Sequence, residues 1–160
     1  MTGNGAERDE CVMDAIFRAF DETGLESISR EDLVVRIDSL DPEQANDSVD
    51  ILAARGQITR KLFFGGGWLV TGMSDHEILK RYEAKGIDVG AEQRRLLKTI
   101  DEQGSVSALD TVPDVLVRTI IRVFLGRNFI QGSLMYGGSF AGHLTATGRR
   151  WLEEQDELTY

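Results

Sequence analysis

The chain contains two similar stretches, ITRKLFFGGGWLVT at residues 58–71 and IQGSLMYGGSFAGHLT at residues 130–145. In each of them, two short runs rich in apolar residues flank a glycine-rich break. This pattern predicts a β-hairpin, because glycines adopt the positive φ angles that tight turns between antiparallel strands require. The sequence therefore predicts one hairpin in each half of the chain.

The similarity follows a constant shift of 72 residues, from Ile58 to Ile130. The matched pairs are Arg55 with Arg127, Ile58 with Ile130, Leu62 with Leu134, Phe64 with Tyr136, Gly65 and Gly66 with Gly137 and Gly138, and Trp68 with Phe140. Thr71 matches Thr145 if the second copy carries two extra residues, Ala141 and Gly142. So many matches in the same order favour an internal repeat.

Helical patterns surround each hairpin. Met13, Ile16, Phe17 and Phe20 share one helical face, which predicts either a core helix or an interface helix. N-cap signals at Ser29, Asp41 and Ser74 begin three further helices, and Gln44 completes a capping box with Asp41. In the second half the pattern predicts helices at 91–103, 108–112 and 113–125, the last ending at Gly126, and a final helix after the hairpin.

The order helix, helix, helix, hairpin, helix resembles a winged-helix module. Residues 127–152 are similar to the wing of prokaryotic and archaeal winged-helix transcriptional regulators, through Ile130, Gly137-Gly138 and the run Leu144-Thr145-Ala146-Thr147-Gly148. The first copy departs from this pattern, with Val70-Thr71-Gly72-Met73 in place of Leu-Thr-x-x-Gly.

The resemblance implies a mainly α protein with small β-hairpins, of the α+β class. We expect two winged-helix modules in tandem, packed together, at residues 8–86 and 91–155. Residues 87–90 would form a short connection between them.

The charge of the chain is unevenly distributed. Its 160 residues include 27 acidic and 18 basic side chains, for a net charge of −9, which argues against coating nucleic acid through bulk charge. Residues 1–54 hold 14 acidic and 4 basic side chains, whereas residues 91–152 hold 5 acidic and 8 basic ones. The composition, with 14 Arg and 4 Lys, also resembles that of proteins from salt-loving archaea, in which net charge reflects habitat rather than partners.

The resemblance implies that the third helix of a module enters the DNA major groove and that the wing contacts the backbone or the minor groove. On the helix at 113–125, Arg118 and Arg122 are four residues apart and share a face, so they are candidates for DNA contact. The other candidate cations are Arg127, Arg149 and Arg150 in the second module and Arg55, Arg60 and Lys61 in the first. The alternative is that Arg118 and Arg122 only form a narrow, solvent-exposed stripe on a mostly buried helix and contact no ligand.

The third helix of the first module is a poor candidate for DNA binding. Asn46 and Asp50 stand where Arg118 and Arg122 stand in the second module, and further acidic residues flank them. These carboxylates would repel phosphate. In the adjoining hairpin, Trp68 or Phe63 would be exposed, unless these aromatic side chains pack into the core.

These features predict a DNA-binding protein, a transcriptional regulator whose partner is double-stranded DNA. Because winged-helix regulators usually act as dimers, the resemblance also implies a homodimer or a protein partner. The alternative is a protein–protein interaction module with no direct DNA reading. In that reading the chain is similar to the acidic tandem winged-helix subunits of chromosome-condensation complexes, which bind a protein partner.

The sequence offers no catalytic motif. Ser74, Asp75 and His76 are consecutive in a helix cap, and a nucleophilic triad needs side chains brought together in space. His76 and His143 are isolated and Cys11 is the single cysteine, so we predict no enzyme activity, no metal site and no cofactor. We expect Cys11 to be buried. Without an apolar run of about 18 residues or an N-terminal signal pattern, we expect a cytoplasmic protein with no membrane partner.

Overall fold

The computed structural model describes residues 5–107, 112–135 and 138–158. Over these residues the chain is an α+β protein with seven helices and two antiparallel three-stranded sheets, so the predicted class is confirmed. The chain divides into two compact units, Met1–Ile78 and Leu79–Tyr160.

The two units share the arrangement of their strands and of most helices, but the short helix Arg30–Arg36 of the first unit has no counterpart among the described residues of the second. The first contains α1 (Gly5–Thr23), β1 (Ile28–Ser29), α2 (Arg30–Arg36), α3 (Pro42–Ala54), β2 (Ile58–Leu62), β3 (Trp68–Met73) and the start of α4 (Asp75–Ala84). The second contains the end of α4 and then α5 (Val89–Gln103), β4 (Ser105–Val106), α6 (Asp114–Gly126), β5 (Ile130–Leu134), β6 (Phe140–Leu144) and α7 (Ala146–Leu158). The sheets have the equivalent orders β1-β3-β2 and β4-β6-β5.

Local capping explains where the helices of the first unit begin. Asp41 accepts a hydrogen bond from the Gln44 backbone N–H at 2.8 Å, and Gln44 Oε1 accepts one from the Asp41 N–H at 3.2 Å. This reciprocal pair is the predicted capping box, and it satisfies backbone donors that a helix start leaves unpaired. Ser29 caps α2 through the Asp32 N–H in the same manner. The three predicted N-caps at Ser29, Asp41 and Ser74 are all confirmed.

The apolar face of α1 belongs to the core. Its Val12, Met13, Ile16, Phe17 and Phe20 are all buried, so of the two roles predicted for this face the core role is the one observed. The expectation for Cys11 is wrong, because this cysteine lies on the exposed side of α1.

The two hairpins are closed at the base by equivalent backbone hydrogen bonds. The Ser74 N–H donates to Gln57 O at 2.9 Å, and the Thr145 N–H donates to Phe129 O at 3.0 Å. The Ser74 hydroxyl then caps α4 and the Thr145 hydroxyl caps α7, by accepting from the Glu77 and Gly148 N–H groups. Thr145 is therefore equivalent to Ser74, and the predicted match of Thr145 with Thr71 is wrong.

A bulge explains this error. Thr59 pairs with Gly72 and Arg60 pairs with Val70, so the backbone register places no residue of β2 opposite Thr71. The register of β5 with β6 has no such irregularity. The extra residue therefore lies in the first hairpin, and the predicted insertion in the second is wrong.

Asn128, rather than Gly126, takes the left-handed conformation after α6. Gly126 is the last residue of the helix, whereas Asn128 has a φ of 58°. It corresponds to Gly56 of the first unit, whose φ is 73°. Asparagine tolerates this region better than other non-glycine residues. The predicted end of the helix at Gly126 is confirmed. The helix predicted at 108–112 lies, apart from Val112, outside the described residues.

The start of α7 tolerates no side chain at Gly148. A Cβ atom built there would lie 2.0 Å from Phe129 O and 2.8 Å from its carbonyl carbon. Because both neighbours are backbone atoms, neither can move aside cheaply.

We therefore expect Gly148→Ala to destabilise the second unit by about 3 kcal/mol or more, since even ordinary overpacking costs about 1–3 kcal/mol. Urea unfolding followed by circular dichroism measures this loss. The matched control is Gly126→Ala, because a Cβ there meets no atom within 4 Å and alanine favours a helix by roughly 0.5–1 kcal/mol. Equal stability of the two variants would show that α7 does not pack on Phe129 in this way.

Candidate nucleic-acid interface

Helix α6 is buried on most of its circumference. Its buried residues are Val115, Leu116, Val117, Thr119, Ile120, Ile121 and Phe124. A helix that is apolar nearly all round belongs to the interior of a fold. The polar stripe that stays open carries Asp114, Arg118 and Arg122, of which the two arginines are partly exposed. Any ligand of α6 therefore meets a narrow strip rather than a broad helical face.

Arg118 lies against the turn of the second hairpin. A Cβ atom added to Gly138 would lie 3.2 Å from Arg118 Cγ, 3.3 Å from its Cδ and 3.4 Å from Nη1. The aliphatic part of this side chain thus packs on the Gly138 backbone, as long charged side chains often do. This contact joins the stripe of α6 to the turn between β5 and β6.

Arg122 is positioned by its own helix. Its Nη2 donates to the Thr119 hydroxyl at 3.0 Å, and that hydroxyl donates to Val115 O at 2.7 Å. Thr119 is fully buried, so the hydrogen bond holds the guanidinium near the base of the stripe. The reach of Arg122 beyond the helix surface is shorter than that of an extended arginine.

The end of α6 lies beside the start of α7. The Thr145 hydroxyl donates to Asn128 O at 2.6 Å. Gly148 also packs closely against the backbone of Phe129. Arg127, the C-cap residue of α6, is exposed next to Asn128. Arg149 and Arg150 are exposed on the first turns of α7. Arg149 approaches the Asp101 carboxylate at 3.4 Å. Arg127, Arg149 and Arg150 therefore lie on neighbouring segments of the second unit, the end of α6 and the start of α7.

Two of the three predicted cations of the first unit lie beside carboxylates, as Arg149 does in the second unit. Arg60 forms an ion pair with Asp50 of α3. Arg55 Nη1 lies 4.0 Å from the carboxylate of Asp9, which is buried. Lys61 is exposed, with its Nζ 5.9 Å from the centroid of the Phe63 ring. Two of these three cations therefore lie beside carboxylates of their own unit, which reduces their attraction for phosphate.

Helix α3 presents an acidic face, as its sequence predicts. Glu43, Asp47 and Asp50 are exposed there, together with the partly apolar surface of Ile51. Their spacing along the helix places them on one side. Phosphate would be repelled by this side of α3.

Of the two aromatic residues that the sequence offered as exposed, Trp68 is buried and takes the alternative core role, whereas Phe63 is exposed. Only 4% of the Trp68 surface is accessible, and its indole N–H donates to Asn46 Oδ1 at 2.7 Å. Asn46 therefore satisfies a buried donor instead of facing a ligand. Phe63 is exposed, and so are Leu62 and Phe64, which the sequence pattern did not single out as exposed.

Within residues 5–107, 112–135 and 138–158, no group of three or more His, Cys, Asp or Glu side chains is arranged to hold a metal ion. Over the same part of the chain, every helix is too short or too polar to cross a bilayer.

No protein-family model matches this sequence, and a comparison with curated proteins finds no match either.

The bond between Trp68 and Asn46 predicts a measurable stability difference. We expect Asn46→Ala to lower the free energy of unfolding by about 1–3 kcal/mol, because the buried indole N–H loses its acceptor. The control is Asp47→Ala, which removes an exposed neighbour and should change stability by no more than about 0.5 kcal/mol. Chemical denaturation of the three proteins tests this, and an Asn46→Ala protein as stable as the wild type would contradict the structural role of Asn46.

Proposed function

We propose that this protein is a pair of winged-helix modules and that its second module binds double-stranded DNA, as a transcriptional regulator does. The observation that carries the proposal is the placement of Arg118, Arg122 and Arg127 along and after α6, with Arg149 and Arg150 close to the end of the same helix. These five arginines concentrate positive charge in one unit of an acidic chain.

The arrangement of the units supports the winged-helix part of the proposal. Each has a helix, α3 or α6, directly before a hairpin, and a strand from the start of the unit pairs with the second strand of that hairpin. In winged-helix proteins the helix before the wing is the one that enters the major groove. By this analogy α6 is the DNA-facing helix of the second module.

The narrow stripe of α6 favours contact with phosphates over extensive reading of bases. Base recognition requires several side chains that reach edges in the groove. Arg118 is packed along Gly138 and Arg122 is bonded to Thr119, so neither extends freely from the helix. Contacts to phosphate need less reach, and they supply affinity with little sequence information. We therefore propose weakly sequence-dependent binding by the second module.

The first module has another role in this proposal. The acidic face of α3, with Glu43, Asp47 and Asp50, would repel DNA phosphates. It favours instead a partner that carries basic side chains. This observation supports the second candidate function, a protein–protein interaction module. The two functions differ in the surface that they use, so they can be separated experimentally.

Binding of a fluorescent duplex to the full chain tests the proposal. If five arginines contact phosphates, the slope of log K against log salt should be about −4 to −5. The double variant Arg127→Gln/Arg150→Gln should make this slope less steep by about 2 and weaken binding at every salt concentration. The variant Arg118→Ala/Arg122→Ala should also weaken binding.

The matched control is Arg18→Gln/Lys80→Gln, which changes the net charge equally at two exposed positions outside the proposed interface. It should bind nearly as the wild type does, because bulk charge contributes less than direct contact. Failure of the wild type to bind duplex at about 0.01 M salt would refute the DNA proposal. Retention of a basic protein partner through α3 would then support the second candidate function.

A further inference from the structure

The first hairpin exposes three consecutive large apolar side chains, Leu62, Phe63 and Phe64, which we call the aromatic tip. Phe64 is fully exposed, and Leu62 and Phe63 are exposed by 64% and 47%. Single exposed apolar residues are common, but a contiguous apolar group often marks an interaction site. The chemistry of the tip and of its neighbours indicates what it can contact.

The apolar side chains of the tip point to both faces of the hairpin. The Phe63 N–H donates to Gly67 O at 2.8 Å, so the strand pairing extends as far as Phe63. Side chains of consecutive strand residues alternate between the two faces, which places Leu62 opposite Phe63, and Phe64 follows at the turn. A groove on a protein, or a nucleic-acid base stacked on a ring, would cover one face and leave the other in water. The hydrocarbon of a lipid layer is fluid and covers both faces together.

A lysine accompanies the tip. Lys61 directly precedes it and is exposed, and its Nζ lies 5.9 Å from the centroid of the Phe63 ring, so the ammonium group and this ring share one face. A lysine in this position can hold its ammonium group at headgroup phosphates while its methylene stem lies along apolar groups. Residues 51–74, which contain the whole hairpin, include no Asp or Glu. No carboxylate of the hairpin itself therefore has to enter the headgroup layer.

Hydrogen bonds order the loop of the aromatic tip. The Gly66 N–H donates to Phe63 O at 3.3 Å, and Arg30 of α2 donates from Nη1 to Gly66 O at 3.1 Å. Arg30 Nη2 lies 3.6 Å from the Glu31 carboxylate, which partly offsets its charge. These bonds give partners to backbone groups that would lose their water on leaving the aqueous phase. Because the loop is already ordered, its insertion costs little conformational entropy.

We propose that the aromatic tip inserts into the interfacial layer of a phospholipid bilayer, with Leu62, Phe63 and Phe64 at the upper acyl chains and Lys61 at the phosphates. Burial of the three apolar side chains supplies the affinity. Contact of this kind needs no membrane-spanning helix. It departs from the sequence-based expectation of no membrane partner, which considered only a spanning segment and a signal pattern.

The acidic surface of the first unit determines how this contact depends on salt. Helix α3 exposes Glu43, Asp47 and Asp50, and residues 1–54 carry 14 acidic and 4 basic side chains. Anionic headgroups repel these carboxylates, and screening shortens the range of the repulsion from about 10 Å at 0.1 M salt to about 3 Å at 1 M. Salt does not weaken the burial of apolar groups. We therefore expect binding to anionic bilayers to strengthen as salt rises, whereas binding to nucleic-acid phosphates weakens.

Flotation of the full chain with vesicles in a density gradient tests the inference. The vesicles consist of phosphatidylcholine, alone or with an equal share of phosphatidylglycerol, at about 0.1 M and 1 M NaCl. We expect binding to both kinds of vesicle at 1 M NaCl, and weaker binding to the anionic kind at 0.1 M. Phe63→Ser/Phe64→Ser should lower the partition coefficient at least tenfold. The matched control, Leu25→Ser/Val35→Ser, removes two other exposed apolar side chains of the first unit and should leave the partition coefficient nearly unchanged.

The variant Phe64→Trp measures the insertion itself. An indole ring is suited to the membrane interface, so this variant should bind as the wild type does. Phospholipids brominated on their acyl chains should quench its fluorescence. Trp68 and Trp151 contribute a background, which the unsubstituted chain measures under the same conditions. Circular dichroism verifies that all variants are folded.

Three results would overturn the inference: a wild type that floats with neither kind of vesicle at 1 M NaCl, binding that Phe63→Ser/Phe64→Ser does not weaken, or a bound Phe64→Trp chain that acyl-chain bromines do not quench. Capture of a single-stranded oligonucleotide or of a second copy by the tip, without binding to vesicles, would also overturn it. Because these variants leave the second unit unchanged, the duplex-binding assay described above gives an independent result.

Discussion

In each unit, one backbone hydrogen bond closes the base of the hairpin. The N–H groups of Ser74 and Thr145 donate to the carbonyls of Gln57 and Phe129, which lie just after α3 and α6. The same two residues cap the helix that follows through their hydroxyls. One residue thus ends the hairpin and begins the next helix. The N–H groups of Gln57 and Phe129 in turn donate to Leu52 O of α3 and Phe124 O of α6, so each closed hairpin is also held to the helix before it.

The shared scaffold shows how two equivalent helices acquire opposite surfaces. Trp68 of the first unit brings a buried indole N–H that needs an acceptor, and Asn46 on α3 supplies it. The equivalent of Trp68 in the second unit is Phe140, which has no N–H to satisfy. The position equivalent to Asn46 is therefore free to hold Arg118, whose aliphatic part packs on Gly138. The change of core residue and the change of surface charge are physically linked.

Local signals account for the parts of the fold that could be predicted. Helix caps and glycine turns depend on a few neighbouring residues, and the predictions for Asp41 with Gln44 and for the turn at residues 65–67 are confirmed for this reason. The bulge at Thr71 and the burial of Trp68 depend on partners that are distant in the sequence. The ion pair of Arg60 with Asp50 is of the same kind. Residue type made Arg60 a candidate, and only the packing of β2 against α3 shows that a carboxylate already holds it. The exposure of Phe64 also depends on the tertiary fold. The sequence alone does not show whether an aromatic run at a turn faces the core or the solvent.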